Sequence, residues 1–317
     1  MESMNPRLAT RAAAQSGAFS AADAADTGVG ADEINRLVRC RTLHRVRRGA
    51  YVLAADYWNA KVFERYVLRV RAVLRSRPEG DRASHHSALT LLGVATHDVD
   101  ESVVTVESRR VKRRRRVNGL VTHTWSQGKT WTVSGVFKTV DAATACAQVA
   151  AESGFVAGVC AMDSALRTRR CTLAELTDAV AALPPLRRTI AQKSLDAVDP
   201  QCESVGESRT RVILNDAGLE VRSQVVIREE AGFIGRVDFL VNGLVIVEFD
   251  GLVKYEGFEG GRALAEEKAR EKRLERLGYE VVRVTWAELA DPAAIIRRVR
   301  EAEHLARARR RALRTLS

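Results

Sequence analysis

The chain has 317 residues, more than one ordinary domain holds, and 46% hydrophobic with 29% charged residues is the balance of a soluble globular protein. Its net charge of +11, carried mostly by arginine, favours an anionic partner, nucleic acid first and an acidic membrane surface second. No apolar run approaches the ~20 residues of a membrane span, and the N-terminus lacks the apolar core of a secretion signal, so a cytoplasmic location is expected. The five cysteines are scattered without a CxxC pair, which argues against a disulfide framework and a structural zinc site.

Residues 1–57 read as a small helical unit closed by a hairpin. Arg7–Gln15 forms a first helix, Ser20 caps a second over Ala21–Asp26, and a third covers 31–40 with Ile34, Leu37 and Val38 inward. Two short strands, 43–46 and 50–53, flank Arg47-Arg48-Gly49. This is the layout of a winged helix-turn-helix. Arg36, Arg39, Arg41, Arg45, Arg47 and Arg48 crowd its third helix and hairpin with no acid among them, and are the candidate DNA-phosphate contacts. A solvated basic face is the alternative. LHRVRRGAYVL resembles the N-terminal winged helix of AbiEi-type antitoxins, which implies DNA binding and leaves a cognate toxin, or a second copy of the chain, open as protein partner.

Residues 58–198 are expected to form a mainly helical α/β middle domain. Helices are predicted at 62–75, from His85, and at about 141–151, 154–168, 172–183 and 185–197, with strands at 102–106 and 119–124. The basic run from Arg109 to Arg116 between the strands is read as a solvated loop or hairpin tip. Adjacent His85 and His86 attract attention as ligands, but no other His, Cys or carboxylate stands at metal spacing, so they are read as a helix-start pair. SHHSALTLLGV extends the AbiEi resemblance.

Residues 199–317 carry the chemistry. A helix over 204–217 is followed by strands at 220–228, 233–241 and 244–250, a long helix at 262–277, a strand at 280–285 and a basic helical tail. The strand–helix–strand crossover implies a parallel pair within a mixed sheet. Val241-Asn242-Gly243 is expected to be a three-residue loop pairing Asp238 with Ile246, which brings Asp238, Glu248 and Asp250 to one face of an otherwise apolar hairpin. A buried acid costs about 2 kcal/mol or more unless it is compensated. A divalent cation is the economical compensation. The alternative is acids at strand ends that reach solvent or pair with arginines.

Glu207, Gln224, Asp238, the pair Glu248 and Asp250 before Gly251, and the run Leu277 to Thr285 resemble the DUF559 branch of the PD-(D/E)XK nucleases, related to very-short-patch-repair endonucleases. The resemblance implies a restriction-endonuclease-like αβββαβ core and a Mg²⁺- or Mn²⁺-dependent DNA endonuclease of phage defence or DNA repair. It assigns Asp238, Glu248 and Asp250 as metal ligands, with Glu207 as the helix acid. Asp250 stands where the superfamily has lysine, and Lys254 or Lys268 is the candidate replacement. Ser204-x-x-Glu207 is also a capping box, a structural alternative for that glutamate. The missing lysine equally raises the alternative of an inactive, antitoxin-like transcriptional regulator.

Overall fold

A computed structural model describes residues 4–133, 135–230, 232–251 and 258–316, with side chains left out for 258–265 and 313–316. Lys254 therefore lies outside the described residues. The fold is α+β, with thirteen α-helices and three open sheets among the described residues, and the chain divides into two units, Met1–Asp196 and Ala197–Ser317.

The first unit begins with α1 (Pro6–Ala14), β1 (Ala18–Ser20), α2 (Ala21–Asp26), α3 (Ala31–Arg39), β2 (Leu43–Arg47) and β3 (Ala50–Leu53). Ser20 caps α2 in a reciprocal box with Asp23. Burial pushes the Asp23 carboxyl up, but hydrogen bonds from Arg75, Ser20 and Gln15 outweigh it and hold it at about 2. Leu8, Phe19, Ile34, Leu37 and Tyr51 make the local core. The hairpin strands were legible in the sequence; β1, which pairs with β3 and completes a three-stranded sheet, was not, because three residues carry no period. Ala18, Ala50 and Val52 of that sheet pack on Leu68 and Ala72 of the helix at Val62–Arg75. The expected boundary at 57/58 falls inside a helix at Ala54–Asn59.

Those two helices are α4 and α5, followed by β4 (Arg82–Ala83), α6 (His85–Leu92), β5 (Val104–Ser108), β6 (Arg115–Val117), β7 (Leu120–Thr124), β8 (Thr130–Val133), β9 (Phe137–Val140), α7 (Ala142–Ser153), α8 (Phe155–Arg167), α9 (Leu173–Ala181) and α10 (Pro185–Asp196). The strands make a six-stranded mixed sheet, β6-β7-β5-β4-β9-β8. This sheet is larger than the sequence reading allowed, since β4 has two residues and β6 is wholly exposed. The basic run leads into β6, with Arg114 on Glu152 and Arg116 on Asp100.

The sheet holds a buried ion pair. Arg82 and Glu107 face each other in the β4–β5 register, each 1% exposed, with Arg82 Nε and Nη2 on one carboxylate oxygen at 3.0 and 2.8 Å. The remaining guanidinium protons go to the carbonyls of Gly128 and Ser126 and to Thr130 Oγ1, and the Trp125 ring lies 3.9 Å from the cation. Such satisfaction is what lets a charge stay in a core.

The second unit runs α11 (Val205–Asp216), β10 (Val221–Glu229), β11 (Gly232–Val241), β12 (Val245–Asp250), α12 (Phe258–Arg276), β13 (Glu280–Thr285) and, after a 3₁₀ turn, α13 (Pro292–Leu316). The sheet order is β10-β11-β12-β13, with β12 and β13 parallel and the other pairs antiparallel. β12 is central, and Val245, Ile246 and Val247 are completely buried. Val245 and Val247 meet Leu214 of α11 and Ile295 and Val299 of α13, whereas Ile246 faces Leu274 of α12. The turn corrects the expected one. Asn242 and Gly243 both have positive φ, and Val241 pairs with Val245. The loop is thus Asn242-Gly243-Leu244, and Ile246 pairs with Leu240 rather than with Asp238. Val237 packs with Ile246 and Leu274 on the α12 side while Phe239 packs with Val247 on the other, so β11 does not keep a strict alternation through Asp238 and the expected common face does not follow from the register.

Candidate functional site

Asp238 of β11 and Glu248 of β12 are both half-buried, Glu248 meeting Arg270 of α12 and Asp238 lying near Glu207 of α11, with Asp250 at the end of β12 beside Thr285 of β13. Asp238 Oδ2 accepts the Phe249 N–H at 2.8 Å. Burial pushes the Asp238 carboxyl above its usual range, and the nearby charge of Glu207 adds to that, against the hydrogen bond from Phe249.

Glu207 comes from the first turn of α11. Its N–H donates to Ser204 Oγ, closing the helix start, while its carboxylate accepts from the Glu203 N–H at 2.8 Å and from Gln224 Nε2 at 3.0 Å. The expected capping box is met in its Ser204 half only, since the carboxylate takes the Glu203 rather than the Ser204 N–H. What lets α11 come so close is Gly206: a Cβ there would lie 2.0 Å from the Phe249 ring, which packs edge-on to Trp286. Gln224 sits within β10 at φ 52°, left-handed backbone that a non-glycine residue rarely adopts in a strand, and it falls level with Asp238 in the register.

Glu248 is met by a cation. Arg270 Nη2 of α12 lies 2.5 Å from its Oε1, while Nη1 reaches Glu267, which with Glu271 also takes Arg283. A Cβ on Gly235 would lie 2.7 Å from Arg270 Nε, so that glycine opens the path across the sheet. Sequence reasoning gave Arg270 no role; the signal was the glycine on β11. Lys268, one of the two lysines considered, is exposed on α12. No three of Glu207, Asp238, Glu248 and Asp250 bring their carboxylate oxygens within 4.8 Å of one another. Mg²⁺ commonly takes only one or two carboxylates and fills its shell with waters and substrate phosphates, and Asp238, with Glu207 linked to it through Gln224, offers carboxylates of that number.

In the first unit Arg36, Arg39, Arg41, Arg45 and Arg48 are exposed on α3, the following turn and the β2–β3 hairpin. Arg45 is steadied by Asn35 Oδ1 and the Tyr51 ring. Arg47 departs from the reading. It is half-buried, its Nη1 is enclosed without a hydrogen bond, and burial, then Arg77 nearby, lowers its pKa. Its Nη1 is turned inward, which sets it apart from its exposed neighbours.

No protein-family model matches the chain. It is 30% identical over 222 residues to the uncharacterized proteins MT2308 and Rv2248 of Mycobacterium tuberculosis, strains CDC 1551 / Oshkosh and ATCC 25618 / H37Rv. The match takes in 68% of this chain and 76% of each relative.

Proposed function

The chain belongs to the family of these two mycobacterial proteins, and from its own side chains we propose that it is a metal-dependent DNA endonuclease with an N-terminal winged helix-turn-helix. The observation that carries this reading is Asp238, half-buried in β11, where burial and the nearby charge of Glu207 make the ionised form costly without a cation. The helix–strand–strand–strand–helix–strand order with a final parallel pair supports a restriction-endonuclease-like core.

In this reading Asp238 and Glu248 hold Mg²⁺ or Mn²⁺, with Asp250 alongside. When bound, the cation polarises a phosphate oxygen and lowers the pKa of a water. Gln224 bridges to Glu207 and orients the acid group from the α11 side. Arg270 replaces the absent lysine as a positive charge beside the scissile phosphate; being permanently protonated, it stabilises charge and takes no proton. The exposed arginines of α3 and the hairpin grip the DNA backbone, while base contacts would come from the same helix. Phage defence or DNA repair is the setting this activity suits.

A second reading rests on Arg270 itself. A guanidinium already seated on Glu248, with Asp250 where a lysine would be expected, also suits a DNA-binding regulator that no longer cuts. The test is a paired assay of wild type and Glu248→Ala on supercoiled, linear and single-stranded DNA with Mg²⁺, Mn²⁺ or chelator. The expected result is metal-dependent cleavage that falls by more than about 100-fold in the variant, beyond the 10–100-fold typical of outer-shell partners. Equal DNA binding with no cleavage by either protein would hand the site to the regulator reading.

A further inference from the structure

Three side chains distant in sequence converge in the first unit: His85 at the start of α6, His123 near the end of β7, and Glu152 in the last turn of α7. His85 Nε2 lies 3.0 Å and His123 Nε2 3.7 Å from the same oxygen, Glu152 Oε2, and the two imidazoles stack at 4.0 Å. Donor atoms of all three fall within 4.8 Å of one another. The His123 side chain is only 8% exposed, and its Nε2 is buried without a hydrogen-bond partner. An unsatisfied buried nitrogen costs about 1–3 kcal/mol, which calls for a partner.

Each donor is oriented from behind. Ser84 Oγ lies 3.0 Å from His85 Nδ1, directing Nε2 inward. The His85 backbone sits at φ 51°, and its N–H donates to Gln148 Oε1, whose amide is held in turn by Glu107 of the buried ion pair. Arg114 donates to Glu152 Oε1 and leaves Oε2 to the imidazoles. Outer hydrogen bonds of this kind fix tautomer and direction at metal sites. Adjacent His86 serves differently. It stacks on Tyr66 with its Nε2 on the Val103 carbonyl, a satisfied core residue.

We propose that His85, His123 and Glu152 bind a divalent transition-metal ion, zinc foremost. Zinc with ligands at about 2.0–2.1 Å in a tetrahedron sets neighbouring donors about 3.3–3.4 Å apart, between the 3.0 and 3.7 Å observed. Two imidazoles and one carboxylate leave a position open for water or a small oxygen ligand, and His85 and Glu152 border a cavity of about 290 Å³ together with Asp98, Asp100, Arg114 and Arg116. Imidazole nitrogen selects against Mg²⁺, so the site is chemically distinct from the all-oxygen acids of the second unit and stands independently of the nuclease reading.

The test uses the full chain, stripped with chelator and titrated with Zn²⁺ by calorimetry in excess Mg²⁺. One saturable Zn²⁺ equivalent is expected, retained in Glu248→Ala and weakened by at least about 10–100-fold in His123→Ala and in Glu152→Gln. Absence of saturable binding to wild type, or unchanged affinity in folded variants, overturns the proposal. Should the variants not fold, Co²⁺-loaded wild type decides: visible bands of a low-coordinate, nitrogen-ligated ion that Zn²⁺ displaces support the site, and their absence overturns it.

Discussion

The two polar centres of this protein are built on opposite plans. In the β11–β12 hairpin the donors are all oxygens, and one of them, Glu248, already has Arg270 as a counter-charge. Around Glu152 the donors are two nitrogens and an oxygen from three separate elements, and one nitrogen has no hydrogen bond. The first centre lies along one hairpin and is approached through glycine clearance at Gly206 and Gly235. The second hangs from a buried hydrogen-bond chain running Arg82–Glu107–Gln148–His85. A centre laid along one hairpin tolerates loss of a neighbour better than one suspended from a buried charge.

That contrast can be broken most sharply at Arg82. Arg82→Ala strands Glu107 in the core, and an expected loss of about 3–5 kcal/mol should appear in denaturant unfolding of the first unit. If the loss stays below about 1 kcal/mol, the chain of hydrogen bonds is not what holds the His–His–Glu centre.

Gly206→Ala probes the clearance plan. Alanine ordinarily favours a helix by about 1 kcal/mol over glycine. Here the new Cβ runs into the Phe249 ring, and a net destabilisation of about 1–3 kcal/mol is expected instead. Measured stabilisation would mean that α11 and β12 are not in close packing and that Glu207 is not held near Asp238.

The smallest effect is expected at Asp238. Its ionised carboxylate is disfavoured by burial and by Glu207, so its folded pKa is raised and its charge destabilises the fold at neutral pH. Asp238→Asn keeps an oxygen for the Phe249 N–H and removes the charge. A gain of about 0.5–2 kcal/mol at pH 7, shrinking as pH falls through the carboxylate range, is expected together with loss of cleavage. A stability loss would show that the acid is a structural group rather than a strained site group.

Local periodicity and capping were enough to write down much of the second unit. The strand at 280–285 and the parallel β12–β13 pair follow from a period of two and a crossover of helical length, whereas the common face expected for Asp238, Glu248 and Asp250 does not, because β11 breaks its alternation at Asp238. The helices at 21–26 and 62–75 likewise follow from Ser20 and an amphipathic stripe. The loop register, by contrast, depended on positive φ at Asn242 as well as Gly243, which composition leaves open. Arg47 looked like its neighbours because charge patterning does not say which way a side chain turns; only packing turned it inward. His85 was set aside because its partners stand 38 and 67 positions away, on a strand and a helix that meet it only once the six-stranded sheet has formed. Strands and helices are legible in a sequence because backbone period fixes their geometry. Chemistry assembled across elements is decided by tertiary packing, since no local rule relates side chains that far apart.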